Sequence, residues 1–492
     1  MSRTSIILAV SVAYLAVCLV VGLIPGRRGG DTADAYVAGD RGLGLILLYF
    51  IMGGTVFSSF AFLGLPGRAY TKGIAATYVL GYGTLSFVPL YFLGPRVARL
   101  GRHFGYVTQA EMVMGRFNSR ALAGWMAVIS TVAFVPYLAL QVKGSGYVID
   151  VVSDGQIPEW LAGAVVYGVV VVYVLRSGVL GVGWTNTFQG LFMMVMAWVL
   201  GLYLPYHLYG GVGPMFDRIA EVRPDLLVAP GLTGSGAVWG WGEYSSAVLV
   251  SAVGAFAWPH FFMKSFTARD DRTLQRTALL FPTFQIFLIP LVLIGFCGVL
   301  FASAPDQPDQ ILPHMLVHLD LPALVVGLFC AGALAASMSS GDSMLHAAAS
   351  ILARDGAVAL TGRRLSARRE MVAIRVGVVA VMVLAYGLAV IYQGSLVELL
   401  LWAYGPVVQF APVLVATLYW RRARGSAVLA GLVVGSCVNL VLVLQPDWRP
   451  IAVHAGLYGL VVNVSILVAG SLVQEGPSDE TFLEVASGGP AA

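Results

Sequence analysis

The chain alternates between long apolar stretches and short polar ones. A membrane-spanning helix needs about 20 consecutive apolar residues, and stretches of spanning length occur thirteen times in the 492 residues. They cover residues 5–25, 43–66, 73–94, 120–149, 158–175, 178–203, 242–263, 277–302, 322–351, 372–392, 397–419, 426–444 and 451–473. The pattern predicts an all-α membrane protein with about 13 transmembrane helices, and an odd number puts the two termini on opposite sides of the bilayer.

Lys and Arg are distributed unevenly between the two sets of loops. The loops after the odd-numbered segments hold 22 of the 29 Lys and Arg residues, the other face holds six, and Lys143 lies inside a segment. Because cytoplasmic loops are enriched in positive charge, we expect the N-terminus outside and the C-terminus inside. The expected location is the plasma (inner) membrane, with multiple passes.

Composition excludes a soluble protein. Hydrophobic residues make up 58% of the chain and charged residues 11%, whereas soluble domains contain about 25% charged residues. The four cysteines lie in apolar segments and give no sign of a disulfide framework. Residues 5–25 could pass for a signal peptide, but they lack a strongly positive start and a clear cleavage site. We interpret them as a membrane helix.

The segments predict an ordered set of domains. Segments 2–6 and 7–11 form two sets of five helices, and the second set starts with the opposite topology because five is odd. The domains are an extra N-terminal helix and loop at 1–42, a first repeat at 43–203, an outer loop at 204–241, a second inverted repeat at 242–419, two C-terminal helices at 420–473 and a cytoplasmic tail at 474–492. The tail is short and acidic, and we expect it to be disordered.

The first segment of each repeat contains helix breakers. Gly54 lies at mid-depth in segment 2, and Gly254 precedes Pro259, which stands between Trp258 and His260, in segment 7. Glycine weakens a helix and proline removes a backbone donor. Unwound backbone is tolerated in a membrane only where it lines a protein cavity. Paired broken helices in inverted repeats therefore predict a transporter site.

Segment 9 carries polar residues in the middle of an apolar helix. The stretch Ala331–Asp355 contains Ser337, Ser339, Ser340, Asp342 and Ser343. At ~1.5 Å rise per residue, Asp342 lies about 18 Å from Arg354 along the helix axis, deep in the bilayer. Such groups are costly there and usually mark an ion or proton path.

Five motifs occur in order on these segments. They are Asp34-Ala-Tyr-Val-Ala-Gly, Gly64-Leu-Pro-Gly-Arg-Ala-Tyr-Thr-Lys-Gly73, Thr108-Gln-Ala-Glu111 followed by Arg116-Phe117, Trp184-Thr-Asn-Thr-Phe-Gln189, and Ala335–Ser343. Through them the chain resembles the sodium:solute symporter family over roughly residues 5–473. The stretch Trp258-Pro-His-Phe-Phe-Met-Lys264 is most similar to the proline, pantothenate and monocarboxylate branch.

The resemblance implies a leucine-transporter-like fold, with one extra helix before the ten-helix core and two after it. It also implies sodium as the coupling ion. The implied ligands are the carbonyls of Gly54, Phe57 and Ala336 and the hydroxyls of Ser339 and Ser340. Hard cations prefer oxygen ligands, and a broken helix frees carbonyls to supply them. Alternatively, the serines only bond the carbonyls four residues earlier.

Asn186 and Asp342 together suggest a second ion. Where the family often has an aspartate that helps to bind a second sodium, this chain has Asn186, and an acid lies instead at Asp342 on another helix. We interpret Asn186, Asp342 and Ser343 as a candidate site for a second cation or a proton. In the alternative, Asp342 is neutral and hydrogen-bonded to Asn186 or to a serine.

The substrate candidates lie near the breaks and include one cation inside a helix. Lys143 lies about 10 Å from the outer end of its segment, where it could snorkel to the interface or hold a substrate carboxylate. His260 could be a donor to substrate or a packed polar residue, and Trp258 and Phe261 could form a gate, an apolar wall or ordinary packing. The full set is Ser58, Ser59, Gln141, Lys143, Trp258, Pro259, His260 and Phe261.

These features favour a secondary active symporter that couples sodium entry to uptake of a small organic solute, a carboxylate such as a monocarboxylate, pantothenate or an amino acid. The alternatives are a proton-coupled transporter of the same fold that uses Asp342, and a membrane sensor with a transporter-like domain. The chain contains no HExxH, Gly-x-Ser-x-Gly or phosphate-loop motif. We therefore expect no enzymatic activity, no organic cofactor and no nucleic-acid partner.

Overall fold

The computed structural model describes residues 2–24, 33–394, 396–473 and 480–488. This part of the chain is helical, with isolated β-bridges and no strand. Residues 25–32 of the first loop, and residues 474–479 and 489–492 of the tail, lie outside it. The helices before the middle of the chain are α1 Arg3–Leu23, α2 Ala33–Ala38, α3 Leu45–Val56, α4 Leu65–Lys72, α5 Tyr78–Leu85, α6 Val88–Phe104, α7 Gln109–Phe117, α8 Arg120–Val152, α9 Glu159–Tyr209 and α10 Val212–Val222.

The second half of the chain begins with the helix that follows the long outer loop. Its helices are α11 Trp241–Ala257, α12 Pro259–Phe262, α13 Asp271–Leu280, α14 Pro282–Gln285, α15 Leu288–Gly298, α16 Ile311–His318, α17 Ala323–Ile351, α18 Ala357–Thr361, α19 Ala367–Ile391, α20 Leu396–Val408, α21 Phe410–Tyr419, α22 Gly425–Leu444, α23 Ala455–Val473 and α24 Glu480–Ser487. Two π-helical turns, Phe60–Gly64 and Leu352–Gly356, continue directly into α4 and α18.

The helices are long and apolar enough for a multi-pass membrane protein. Among the described residues there are nine spans of this kind, and ten if the bent pair Trp241–Ala257 and Pro259–Thr267 counts as one. Each predicted segment lies on one of these or on the shorter apolar helices Leu45–Val56 and Ala403–Tyr419. The total of thirteen crossings and the sides of the two termini stay predictions.

The main departure from the predicted segments is in α9, where segments 5 and 6 follow each other without a loop. The chain turns at Gly178, whose φ of 54° lies in the left-handed region. A Cβ at this position would lie 2.5 Å from the carbonyl oxygen of Tyr36. Only glycine satisfies both the backbone angle and the close contact.

Both predicted helix breaks are present. α3 ends at Val56, because Phe57 leaves the helical region with a ψ of 84°. α11 ends at Ala257, where Trp258 has a ψ of 123° and Pro259 follows, and the helix axis bends by 49°. Phe57 and Trp258 are both buried, so the interrupted backbone lies inside the protein.

α17 is enclosed by other helices over most of its length. Every residue from Phe329 to Ile351 is buried, and the helix packs against α1, α8, α9 and α19. Glycine allows the close approach, since a Cβ on Gly341 would lie 2.2 Å from the hydroxyl oxygen of Tyr167. Protein, and not lipid, therefore surrounds Asp342 and the serines.

Two peripheral segments differ from the prediction. Residues 204–209, assigned to the outer loop, continue α9, and the loop itself contains α10. The expectation of a disordered tail is wrong for Glu480–Ser487, which form α24. This short helix has an apolar face that buries Phe482, whose ring stacks on Phe104 with centroids 5.9 Å apart. Burial of that face stabilises a segment whose acidic character alone suggested disorder.

We expect Gly178→Ala to destabilise the protein by about 1–3 kcal/mol, because the new side chain meets the Tyr36 carbonyl in a strained conformation. Thermal unfolding of the purified protein in detergent measures the change. Gly168→Ala on the same helix is the matched control, since a Cβ at Gly168 meets nothing within 4 Å. Equal melting temperatures for the two variants would contradict this account of Gly178.

Candidate functional site

Five groups on α3 and α17 and at the break after α3 converge in the protein interior. The hydroxyl of Ser339 lies 3.0 Å from the carbonyl oxygen of Gly54 and 3.4 Å from that of Phe57. It lies 3.2 Å from the carbonyl oxygen of Ala336 in its own helix. The hydroxyl of Ser340 lies 3.1 Å from the Gly54 oxygen. The structure therefore brings together the groups that the family resemblance assigned to sodium.

The Gly54 carbonyl is available because the break removes its helical donor. In an unbroken helix the amide of Ser58 would donate to it. The Ser58 amide donates instead to the Val56 carbonyl over 3.0 Å. A buried carbonyl without a partner is costly, so the serine hydroxyls of α17 satisfy a group that the break exposes.

The same break frees the Thr55 carbonyl. Its helical donor would be the amide of Ser59, which donates instead to Oε1 of Gln141 over 2.9 Å. The Thr55 carbonyl accepts from the Ser340 hydroxyl over 3.0 Å. It is a further oxygen of the group, and the sequence analysis missed it. Ser59 and Gln141, assigned there to substrate, hydrogen-bond to each other and stabilise the break.

Asp342 is hydrogen-bonded to two residues of α9 that the sequence analysis did not assign to the site, although Thr185 lies in the Trp184–Gln189 motif. Its Oδ2 atom accepts from the Tyr173 hydroxyl over 2.8 Å and from the Thr185 hydroxyl over 3.1 Å. All three side chains are fully buried or nearly so. The side-chain donors to Oδ2 are therefore Tyr173 and Thr185, in place of the Asn186 or serine partner of the alternative interpretation, and the neutral state of Asp342 stays a prediction.

Asn186 contacts Ser343 instead. Its Nδ2 atom donates to the Ser343 hydroxyl over 3.2 Å, and the Thr55 hydroxyl lies 3.1 Å from the same oxygen. Successive side chains on a helix point about 100° apart, so Asp342 and Ser343 face different neighbours. Because Thr55 also contributes its carbonyl to the first group, Thr55 connects the two candidate ion groups.

The N-terminal helix α1 completes the surroundings of Asp342. The helix packs against α9 and α17, and Nε2 of Gln189 lies 3.5 Å from the sulfur of Cys18 in α1. Among the described residues, Oδ1 of Asp342, Oδ1 of Asn186 and Oε1 of Gln189 have no hydrogen-bond partner. Buried oxygens of this kind normally have a partner, which is consistent with an ion or a proton here.

A central cavity lies against the two helix breaks. Its volume, taken as the space open to the centre of a water molecule, is ≈ 40 Å³. The wall consists of Thr55, Val56, Phe60, Tyr82, Gly83, Ser86, Phe87, Tyr137, Ala255, Trp258, His260, Phe261, Gln285 and Tyr404. Of the predicted substrate residues, the structure places Trp258, His260 and Phe261 in this wall and leaves out Ser58, Ser59, Gln141, Lys143 and Pro259.

His260 and Gln285 supply polar atoms to this largely aromatic wall. Nδ1 of His260 and both amide atoms of Gln285 have no hydrogen-bond partner in the described part of the chain. Gln285 is 3% exposed, and a Cβ on Gly83 would lie 2.3 Å from its Oε1. A few convergent polar groups in an apolar cavity are typical of a ligand site. Gln285 lies in an apolar segment without a motif, so the sequence analysis missed it.

Lys143 lies outside the cavity, in an ion pair. Its Nζ atom is 3.2 Å from Oε1 of Glu159 and 5.1 Å from the ring centroid of Tyr147. The lysine is 4% exposed, and the Glu159 side chain is 33% exposed. Glu159 begins α9, at the end that the predicted topology places outside. The geometry favours the interfacial interpretation of Lys143 over the substrate clamp.

We expect Lys143→Met and Glu159→Gln each to lower the free energy of unfolding by about 1–2 kcal/mol, because each single variant leaves the remaining charge without its partner. The double variant should unfold with no lower free energy than Lys143→Met alone, because it leaves no unpaired charge. Thermal unfolding of the three variants measures this coupling. Glu221→Gln, which removes the exposed pair with Arg218, is the control and should change little. A raised KM for a carboxylate in Lys143→Met with an unchanged melting temperature would favour the clamp.

A model of the family described as "SSF: Sodium:solute symporter family" matches residues 36–435. The chain is 28% identical to the uncharacterized symporter YhjB of Bacillus subtilis, with 92% of this chain and 94% of YhjB covered. It is 24% identical to the monocarboxylate transport permease protein of Rhizobium johnstonii (94% and 95% covered) and 26% identical to the sodium/pantothenate symporter of Escherichia coli (88% and 89% covered).

Solved transporters share the fold. A Na⁺-coupled sialic acid symporter in a substrate-bound outward-open state superposes with a TM-score of 0.77 at 20% identity, covering 96% of this chain and 99% of the symporter. The nucleobase-cation-symport-1 family transporter Mhp1 in a closed conformation superposes with a TM-score of 0.59 at 14% identity, covering 93% and 96%. The architecture is thus leucine-transporter-like.

Proposed function

The chain belongs to the sodium:solute symporter family, and we propose that it couples the inward movement of sodium to the uptake of a small monocarboxylate. The observation that carries the sodium assignment is the convergence of the Ser339 and Ser340 hydroxyls on carbonyls freed at the α3 break. Sodium would bind among these oxygens, with each hydroxyl turning its lone pairs toward the ion.

The sodium group joins the end of α3 to α17, so bound sodium would hold the two together. Its oxygens come from carbonyls and hydroxyls and carry no net charge. The membrane potential acts on the net charge that crosses, so one sodium that enters with a monocarboxylate anion would be driven by the sodium gradient alone. A second cation would add ~2.3 kcal/mol per 100 mV. These gradients would drive accumulation of solute by alternating access around the central cavity.

Thr55 is the proposed point of coupling between sodium and solute. Its carbonyl faces Ser340 in the sodium group, and the residue also lines the cavity. A shift of α3 on sodium binding would change the cavity wall directly. Solute in the cavity would in turn favour the arrangement of α3 that binds sodium, because coupling between two sites is reciprocal.

The cavity supports a compact solute. A volume of ≈ 40 Å³ corresponds to roughly three water molecules at ~10–15 Å³ each, which suits acetate, lactate or pyruvate better than pantothenate. No Lys, Arg, Asp or Glu is among the described residues that line it. The Gln285 amide and the His260 ring would donate to the carboxylate. Sodium entering with the anion would keep the pair near neutral in a medium of low dielectric.

We further propose that Asp342, with Asn186 and Ser343, serves a second cation or a proton. The unpartnered oxygens of Asp342 and Asn186 support this, and the Thr55 hydroxyl next to Ser343 would link such an ion to the sodium group. A proton-coupled transporter of the same fold is the alternative, with Asp342 as the proton carrier.

Uptake into proteoliposomes tests the main proposal. Labelled acetate, lactate, pyruvate, proline, pantothenate and glucose would be supplied with an inward sodium gradient, an inward proton gradient or neither. We expect sodium-driven uptake of a monocarboxylate. Ser339→Ala and Ser340→Ala should each raise the half-saturating sodium concentration about tenfold, because a bond to a charged group contributes about 1.5–3 kcal/mol.

Ser350→Ala is the matched control for the two serine variants. Ser350 is buried in the same helix, but its hydroxyl donates to the His346 carbonyl over 2.7 Å, away from the α3 break. Its sodium dependence should equal that of the wild type. Uptake driven by protons alone, with no effect of sodium, would overturn the sodium assignment and favour the Asp342 alternative.

Asp342→Asn tests the second ion. We expect the charge moved per solute, measured as membrane current against tracer flux, to fall by one elementary charge, because the carboxylate that holds the second cation is neutralised. The half-saturating sodium concentration at the first group should change by less than about threefold, since Asp342 is not one of its ligands. A dependence of the wild-type reversal potential on pH identifies the second ion as a proton. An unchanged charge ratio would mean that Asp342 only accepts hydrogen bonds from Tyr173 and Thr185.

A further inference from the structure

We propose that α7 couples the helix break that lines the cavity to the helix that holds sodium, with Thr108 and Gln109 as positioning residues. The inference rests on the proposed function, because it concerns how those two sites communicate. α7 is the short helix of the Thr108–Glu111 motif, and the sodium and solute groups described above include none of its residues. Its first turn makes one contact to each of the two elements.

The first contact is to the break in α11. In an unbroken helix the Phe261 amide would donate to the Ala257 carbonyl. It donates instead to the Trp258 carbonyl over 3.0 Å. Nε2 of Gln109 donates to the Ala257 carbonyl over 2.9 Å, from a side chain that is 2% exposed. Gln109 therefore replaces the bond lost at the break, next to Trp258 and Phe261 in the cavity wall.

The second contact is to the end of α17. The Thr108 hydroxyl donates to Oδ1 of Asp355 over 2.8 Å, and Glu111 lies 3.7 Å from Nη1 of Arg354. Asp355 and Arg354 belong to the π-helical turn Leu352–Gly356, which continues α17. Turns of this kind occur frequently at functional sites. The helix that carries the sodium serines is thus attached to α7 at its end.

The two contacts come from adjacent residues on one rigid cap. The Thr108 hydroxyl also accepts from the Glu111 amide over 3.0 Å, and the Glu111 carboxylate accepts from the Thr108 amide over 3.4 Å. This capping box fixes Thr108 relative to α7. A displacement of the α17 end would therefore move Gln109 together with Thr108, and the Ala257 carbonyl with them.

The consequence is a second route of coupling, independent of Thr55. Sodium binding would draw Ser339 and Ser340 toward α3 and shift α17. Through Asp355 and Thr108 the shift would reach Gln109, which orders the cavity wall at Trp258. A merely structural clamp would stabilise the same fold, but it would not make the order at Trp258 depend on sodium.

Hydrogen–deuterium exchange of the full-length protein in nanodiscs tests this with sodium as the only probe and potassium as the reference salt. In the wild type we expect sodium to slow amide exchange in peptides covering 54–58 and 255–262. In Gln109→Leu and Thr108→Val, sodium should still slow exchange at 54–58. At 255–262 the slowing by sodium should fall at least about fivefold, which is the lower end of typical coupling between two sites. Thr108→Ser keeps the hydroxyl and should restore it.

Ser119→Ala is the control for general destabilisation. Ser119 caps α8 by accepting from the Leu122 amide over 3.3 Å, so its loss costs about the same as the loss of the Thr108 cap without touching α11 or α17. Two outcomes would overturn the coupling role alone. In the first, sodium still slows exchange at 255–262 in Gln109→Leu and Thr108→Val. In the second, sodium slows exchange in the wild type at 54–58 but not at 255–262. No sodium effect at 54–58 in the wild type would overturn the sodium assignment and the coupling together.

Discussion

Backbone groups that leave a helix inside a membrane must find a partner in the protein, and this constraint determines much of the arrangement seen here. The break after α3 frees the carbonyls of Gly54 and Thr55, and within the described part of the chain the Ser339 and Ser340 hydroxyls donate to them. α17 must therefore lie close to the break, which requires small residues along its length and burial on every side. The same constraint at the second break is met by Gln109. Hydrogen bonds that satisfy broken backbone are also the ones that a cation or a solute can replace.

The charges within the bundle are placed unequally. The group at the α3 break contains carbonyls and hydroxyls, which would bind a cation as proposed and which satisfy each other by hydrogen bonds when no cation is there. Asp342 is different, because a buried carboxylate is stable only when it is neutral or has a counter-charge. Its hydrogen bonds from Tyr173 and Thr185 lower that cost but leave one oxygen without a partner among the described residues. An exchangeable proton or cation is the simplest species that satisfies this oxygen.

Features that depend on the local chain could be predicted from the sequence. Proline and glycine at mid-depth predicted both breaks, and the family resemblance, carried by local motifs, assigned the serines of one apolar helix to the first break. Features that depend on which way neighbouring helices face could not be predicted. Tyr173 and Gln285 lie in apolar segments typical of ordinary packing, and Thr185 lies in a motif that does not show which way it faces. The three acquire a role only because α9 and α14 turn them toward Asp342 and the cavity. The sequence analysis grouped Asn186 with Asp342 and Ser343. Because adjacent positions on α17 point about 100° apart, Asn186 contacts Ser343 and not Asp342.

Thr55 shows why the proposed sodium and solute sites cannot be treated as separate. Its carbonyl belongs to the proposed sodium group, its hydroxyl contacts Ser343 beside Asn186, and the residue lines the cavity. Any ligand that shifts this residue changes the geometry at all three places at once. Since a packed interior is bistable and not continuously deformable, such a shift must be accompanied by a discrete change at the far ends of α3, α11 and α17. α7 is in contact with α17 through Asp355 and with α11 through Ala257, so the change at one break is constrained to accompany the change at the other.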